Sequence, residues 1–600
     1  MLRKFPYHIE ALTALALIAA PFVLPYLGFS PDTVNRILVW GLFGIGFDIL
    51  FGFTGLLSFG QSAFYGTGGF VAAYLLTRMG FPNVVLALIV GMVVAAVVGY
   101  LIGLIALRRT GIYFAMITVA IAEVFYFVEF NPLSAWTGGE NGLPGVPMPV
   151  IDLGFIHLEF SAGWSLYQFI AVCYFIGIVI ALRIVRSPVG AIFRAIRENP
   201  VRAAAVGHNI HGYKLTAFVV AAAYAGFAGG LLGVMQAFMP PDAFTFDTSG
   251  QLVMMTAIGG TGTLFGPLLG AALWLYLQDF LQAALGLGAT WRLVLGVVFV
   301  LLVILLRRGI IGGLVDLYHL VRPGAVVDQA PSETAPATAI TAHRPPPHPD
   351  RIAIETRGLG KRFGGIVANE DVNFRVHEGE IRGLIGPNGA GKSTFFKMLT
   401  GEMRPSSGQI FMFGHDTTHL GVTAVCHLGV AKSYQINQLF NKLTVRQNLT
   451  ISALSRARGE YRPDMLRDVR NMSELNADVD ETLKMLDLTA RADVPVSQLA
   501  YGEKRRLEIG LALGTDPKIL LLDEPLAGMS PQERTDTVAL LKHLAIGRTL
   551  VVVEHDMDAL FNMADQITVL SQGRILAEGT PAQVQKSPAV QDAYLGGVHE

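Results

Sequence analysis

The stretch IRGLIGPNGAGKST, residues 381–394, decides how the second half of this chain folds. An apolar run, Ile381–Ile385, leads straight into G-x-x-x-x-G-K-S-T. Glycines at 386, 389 and 391 let the backbone curl, so that the N–H groups from Gly386 through Asn388, Gly389, Ala390 and Gly391 face phosphate oxygens. The helix that follows adds its positive N-terminal end. Lys392 is placed to reach the β and γ phosphates and Ser393 to ligate Mg²⁺, and Thr394 is counted with them as ATP-binding. A strand before and a helix after are the context this motif requires.

A phosphate loop alone does not choose among nucleotide hydrolases. KILLLDEP, residues 518–525, reads as a buried strand ending in two acids. Asp523 at its end can hold the water shell of a metal, and Glu524 is placed to polarise an attacking water. TLVVVEHDM, residues 549–557, is a second buried strand; it ends at His555, which could contact the γ phosphate. Between them LAYGEKRRLEIG, residues 499–510, has two readings: a basic surface helix opening after a tyrosine-glycine turn, or a variant of the peptide that closes one ATP site against another.

The first half is a different material. The chain has 600 residues, 52% hydrophobic, yet only 15 of its 45 Lys/Arg and 12 of its 46 Asp/Glu fall in residues 1–310. Apolar stretches long enough for ~30 Å of hydrocarbon recur at 11–28, 34–56, 60–78, 83–107, 111–130, 164–184, 215–238, 266–287 and 291–306, with a shorter one at 251–265. Counting the short one as a crossing puts Arg3, Lys4, Arg108, Arg109, Arg183, Arg186, Arg194, Arg197, Arg202, Lys214, Arg307 and Arg308 on one side. Only Arg36, Arg78 and Arg292 then lie on the other, so about ten helices are expected with both ends of this half cytoplasmic. The first is expected as an uncleaved membrane helix rather than a removable signal.

Glycine-rich stretches such as 52–70 and 257–272 permit close helix packing and unwinding where a cavity is lined. Asp48 and Glu123 sit in apolar runs, where a carboxylate must pair, protonate or face water; they are candidates for a translocation path. The excursion 186–214 predicts a short amphipathic helix carrying Arg194, Arg197 and Glu198, suited to insertion into a groove on a cytoplasmic domain. Residues 321–350 are rich in Pro, Ala and Thr and read as a flexible linker with a reach on the order of 30 Å. The expected plan is a polytopic all-α membrane domain at 1–320, this linker, and an α/β nucleotide-binding domain at 351–600. The net charge of −1 argues against nucleic acid as a partner. Cys173 and Cys426 lie in different halves and imply no disulfide framework.

Taken in order, these motifs resemble the ATP-binding cassette ATPases across 351–600. The resemblance implies that Phe363 stacks on adenine and that Gln435 senses the metal, joining Ser393 and Asp523 around Mg²⁺. Ala500, Tyr501, Gly502 and Glu503 then stand where the family carries its signature peptide, facing a partner's ATP. LAYGEKRRLEIG, EPLAGMSP and GRILAEGTPAQVQKSPAVQDAYLG are similar to the ATPases of branched-chain amino acid importers. TGLLSFGQSAFYGTGGF, TGGENGLPGVP, RAIRENPVRAAAVG and AIGGTGTLFGPLLGAA are similar to the permease subunit of the same importers. The resemblance therefore implies a fusion of permease and ATPase in a bacterial-type inner membrane, with the ATPase in the cytoplasm. Its implied partners are a second permease, a second cassette, an extracytoplasmic solute-binding protein and an amino-acid substrate. Import of urea or short amides, an exporter half, and a membrane-tethered regulatory ATPase remain alternatives.

Overall fold

The structure is a computed structural model, which describes residues 8–152, 157–284, 290–306, 308–321, 348–434 and 438–595. It divides into two units. One takes Met1–Arg197, His211–Asp328 and Pro463–Val469; the other takes Glu198–Ile210, Gln329–Arg462 and Arg470–Glu600. The expected linker falls almost wholly outside the described residues. Glu198–Ile210 lies within the helical half by sequence but goes with the second unit by contact.

The first unit is built of helices. Among the described residues, six are long and apolar enough to cross a membrane: His8–Leu27, Pro31–Phe53, Val84–Ala106, Ile112–Phe130, Trp164–Arg186 and Ile210–Gln236. The bent pair Trp291–Leu305 and Gly309–Tyr318 makes a seventh if it is one span. The remaining expected crossings are shorter. Gln61–Thr77 has 17 residues, and the apolar sequence from 251 to 287 is split into Phe246–Gly259 and Gly266–Asp279, of 14 residues each. Glycine makes the split: Gly260 has φ +117°, and a Cβ on Gly259 would lie 1.7 Å from the Gly266 carbonyl oxygen. Two short antiparallel ribbons, Leu143–Pro144 with Phe238–Met239 and Val150–Asp152 with His157–Glu159, qualify the all-α expectation.

The second span changes pitch at its end. After Asp48 the chain makes one π turn, Ile49–Phe53. The Asp48 carboxylate accepts from the N–H groups of Gly262 (2.7 Å), Thr263 (3.1 Å) and Leu264 (3.0 Å), and Arg197 donates to the Gly52 carbonyl beside it. No side chain fits at Gly52, where a Cβ would meet Asp48 Oδ1 at 2.0 Å.

The second unit holds two sheets. A five-stranded antiparallel sheet is built around His348–Phe363. A six-stranded sheet runs in the order Val430–Lys432, Ile519–Asp523, Thr549–Val553, Ile381–Ile385, Gln566–Ser571, Arg574–Gly579, all parallel except the last pair. Its three central strands are buried at every position, as a parallel sheet covered on both faces requires.

Candidate active site

Strand register brings the motifs together. Val553 lies opposite Asp523 on one side and Leu384 on the other. The phosphate loop, the paired acids and the Glu554-His555 step therefore all leave adjacent strands at one level. In open α/β sheets ligands gather at these carboxyl ends.

The loop has the backbone its glycines predict: φ is +81° at Gly389 and +96° at Gly391. Gly391 also lies against the neighbouring strand, where a Cβ would come within 2.4 Å of the Ala368 carbonyl oxygen. Lys392 opens the helix Lys392–Leu399, and its ammonium donates to the loop's own carbonyls, Gly386 at 2.6 Å and Pro387 at 3.0 Å. Burial pulls its pKa down, and the nearby charges of Glu524 and Asp523 work the other way. Asn388 and the Ser393 side chain face solvent. The Asp523 N–H donates to Ser433 Oγ at 3.3 Å, and burial pushes the Asp523 carboxyl pKa up. Glu524 stands at φ +49°, a strained setting for a non-glycine residue, with its carboxylate 3.2 Å from His555 Nε2. Phe363 is 45% exposed at the end of its strand, with Lys361 Nζ 5.4 Å from its ring centre, so one face can take a base. This donor set fits a nucleotide triphosphate. Ser393 and Asp523 are the described residues that would hold a Mg²⁺ ion; Gln435 lies outside the described residues.

The expected signature peptide opens the helix Tyr501–Leu513. Glu503 accepts from the Ala500 N–H at 2.9 Å and from Arg491 at 3.1 Å, so the carboxylate caps its own helix. Gly502 is in close contact with the helix Pro531–Leu544: a Cβ there would meet Glu533 Oε1 at 2.3 Å. Tyr501 lies over Gly528 and is half exposed. Ser530 forms a capping box with Glu533 and so starts the helix Pro531–Leu544.

The expected coupling residues lie on one helix, Pro188–Glu198. Arg194 donates to the Gly190 carbonyl at 3.4 Å, Arg197 to Gly52, and Glu198 pairs with Lys442 at 3.1 Å. Beyond them Asn199 bonds Gln438 at 2.6 Å, and His427 donates to the Gly207 carbonyl at 2.7 Å. His208 bonds the Ile451 carbonyl at 2.8 Å, and burial pulls its pKa down to about 4. Of the two intramembrane acids, Asp48 is fully buried and occupied by the 262–264 turn, whereas Glu123 is exposed on its helix.

Sequence reading missed four side chains. Glu554 is buried and accepts from the Leu526 N–H at 2.6 Å and the His555 N–H at 3.1 Å, tying the His555 turn to the loop after Glu524; burial pushes its pKa up. Arg505 and Glu508, on the signature helix, and Arg202 are buried charges that bond mainly to backbone. The one signal available was the pair of charges at i and i+3, Arg505 and Glu508, interleaved with the apolar Leu507 and Ile509.

An apolar multi-helix region joined to a cassette with these strand-end acids defines a membrane transporter of the ATP-binding cassette class, whose cassette hydrolyses ATP in step with transport. Family models agree along the chain: the permease component of the branched-chain amino acid transport system matches residues 32–303, the ABC transporter model 369–527, and the branched-chain amino acid ATP-binding cassette transporter model 574–600. BraF, the high-affinity branched-chain amino acid transport ATP-binding protein of Pseudomonas aeruginosa, is 37% identical over 254 residues, 41% of this chain and 98% of that one. LivG of Escherichia coli, with the same description, is 37% identical over 248 residues, 40% of this chain and 97% of that one. A solved cassette of an ABC transporter, MJ1267 in its ADP conformation, is 30% identical, covers 41% of this chain and 99% of its own, and has a TM-score of 0.37. The chain belongs to the branched-chain amino acid ABC transporter family, with permease and ATPase regions in one polypeptide.

Proposed function

We propose that this chain is the permease-plus-ATPase subunit of an importer that moves branched-chain or other apolar amino acids across the inner membrane. A solute-binding protein delivers the substrate outside, and a second permease and a second cassette complete the complex. The observation that carries this reading is the match of two regions of one chain to the two components of the same transport system.

In this reading Lys392 and the loop N–H groups cradle the phosphates of ATP, and Phe363 takes the adenine. Gly502 and the start of its helix face the γ phosphate of the partner cassette's ATP. Mg²⁺, when bound, neutralises phosphate charge. Glu524 accepts the proton of the attacking water, and His555, 3.2 Å away, holds that carboxylate in line. Arg194, Arg197 and Glu198 relay cassette closure to the helices. Glu123, exposed on an intramembrane helix where lipid is a poor solvent for a carboxylate, serves the translocation path or the second permease.

Uptake of radiolabelled leucine into vesicles holding the whole complex tests this proposal. Uptake should need both ATP and the loaded binding protein. Uptake of urea or short amides in place of leucine would move the substrate class; ATP hydrolysis indifferent to every loaded carrier would remove the import reading.

A further inference from the structure

One polar cluster in the cassette stands outside the phosphate loop and yet grips the main chain of both catalytic acids. Arg505, 1% exposed, donates to the carbonyls of Asp523 (2.6 Å), Glu524 (2.7 Å), Pro525 (3.4 Å) and Tyr434. Its charge is met at 2.5 Å by Glu508, one turn further along the helix and 0% exposed. The other Glu508 oxygen accepts the Tyr434 N–H at 2.6 Å. Tyr434 is therefore held at both its N–H and its carbonyl by this one ion pair.

Arg202 meets the same two residues from the segment Glu198–Ile210. It is 1% exposed, donates to the carbonyls of Lys432 (3.0 Å) and Glu508 (3.2 Å), and lies 5.4 Å over the Tyr434 ring. Direct hydrogen bonds thus run from Arg202 to the Glu508 carbonyl, from Glu508 to Arg505 and from Arg505 to the carbonyl of Glu524, while Arg202 meets Tyr434 through its ring.

Stability alone is a poor reason for such a cluster, because well-packed apolar side chains often replace a buried ion pair at no cost. A guanidinium differs from them in direction: its planar fork fixes several acceptors at once. Glu524 depends on that fixing. Its backbone is in the left-handed region, where a non-glycine conformation persists only if neighbours over-determine it.

We infer that Arg505 is the positioning residue for Glu524, and that Glu508 and Tyr434 make this setting answer to Arg202, so that seating of the 198–210 segment tunes the alignment of the hydrolytic carboxylate. The inference rests on Glu524 being the hydrolytic base.

Its test uses the full-length chain in its native complex, with Glu508→Gln, Arg505→Lys and Arg202→Lys made singly and Glu508→Gln combined with Arg202→Lys. Glutamine keeps the shape of Glu508 but replaces one of its two acceptor oxygens with an NH2 donor and removes the charge that meets Arg505; lysine keeps the Arg505 charge without the fork. Glu508→Gln and Arg505→Lys should each lower ATPase kcat about tenfold or more, as sub-ångström misplacement does, and Arg202→Lys should lower it less, with affinity for a non-hydrolysable ATP analogue near wild type at a temperature where each variant is folded. Glu508→Gln should also unfold earlier, because it leaves the Arg505 charge without its partner. Losses in the combined variant should fall short of the product of the single ones, as residues acting through one network require. Wild-type kcat in folded Glu508→Gln or Arg505→Lys, losses that only track nucleotide affinity or the unfolding midpoint, or a fully multiplicative double variant would overturn the inference. Glu524→Gln run alongside separates the two readings: if it leaves hydrolysis intact, the role of Glu524 falls first.

Discussion

The buried charges of the cassette and the buried amides and hydroxyls of the helical unit are treated differently. In the cassette, buried charges are matched: Arg505 with Glu508, Arg382 with Glu380 at 2.6 Å, Lys432 with Glu402 at 3.3 Å, and Glu554 with two backbone N–H groups. In the helical unit Asp48 is matched as completely, yet Asn35, Gln61, Tyr65 and Tyr174 are buried with polar side-chain atoms that have no hydrogen-bond partner among the described residues. Each such group costs about 1–3 kcal/mol. A hydrolytic site must be rigid to hold water in line, so its buried charges are paired from within, although the Asn369 amide beside the phosphate loop has no partner among the described residues. A solute path must be able to pair with something that comes and goes, and unsatisfied amides and hydroxyls leave that capacity.

The largest way to break this comparison is at the matched end. Replacing Glu524 with Gln keeps the bulk and the 3.2 Å neighbourhood of His555 but removes the base. Hydrolysis should fall by roughly 10²–10⁴-fold, the range general bases contribute, and ATP should remain bound. Single-turnover hydrolysis and nucleotide retention by the purified complex measure both. Unchanged turnover would mean that satisfied geometry here serves folding rather than chemistry.

Asp48 tests a fully buried, saturated carboxylate in the helical unit. Asp48→Ala would leave the N–H groups of Gly262, Thr263 and Leu264 without their acceptor, at a cost of several kcal/mol in a site that excludes water. The variant should accumulate poorly or unfold early, and Asp48→Asn should recover part of the loss by keeping one acceptor oxygen. A stable Asp48→Ala chain that binds ATP but moves no solute would return Asp48 to the path.

How much of this could be read from the sequence follows from where the partners lie. The phosphate loop and the two acids announce themselves because each works with its immediate neighbours, at the ends of short buried strands whose order the parallel sheet fixes. Arg505 and Arg202 were missed because most of their partners are main-chain carbonyls, which leave no mark in a sequence. Asp48 shows the same limit: an acid in an apolar run must be compensated, but its three donors lie more than 200 residues away. Hydropathy measures how long an apolar run is, and not where a pair such as Gly259-Gly260 ends a helix, so it does not give the lengths of Phe246–Gly259 and Gly266–Asp279.

Gln61 probes the unmatched side. It is wholly buried at the start of its helix, and neither its amide nitrogen nor its oxygen has a partner among the described residues. Gln61→Leu removes the desolvation burden at similar size. If the amide is kept for a solute, the variant should gain about 1–2 kcal/mol of stability, retain ATP hydrolysis, and lose uptake. Thermal unfolding in detergent and vesicle uptake read the two effects separately. A less stable variant with normal uptake would show that the amide has a structural use and would erase the contrast between the halves at this position.

His208 gives the smallest and most graded test. It is neutral and buried in the segment whose Arg202 reaches Glu508, with a folded pKa near 4 against an ordinary 6.5. Between those values the unfolded chain binds a proton that the folded chain does not, so stability rises with pH across that window and falls on acidification. From pH 7.5 to 6 the loss from this group is about 1 kcal/mol, growing as pH approaches 4. His208→Gln, which keeps a donor for the Ile451 carbonyl, should flatten this part of the profile of unfolding midpoint against pH without shifting its value near pH 8. An unchanged slope would show that the segment yields to acid through some other group. A flattened slope with loss of solute-stimulated hydrolysis at pH 6 only in the wild type would tie the seating of 198–210 to transport.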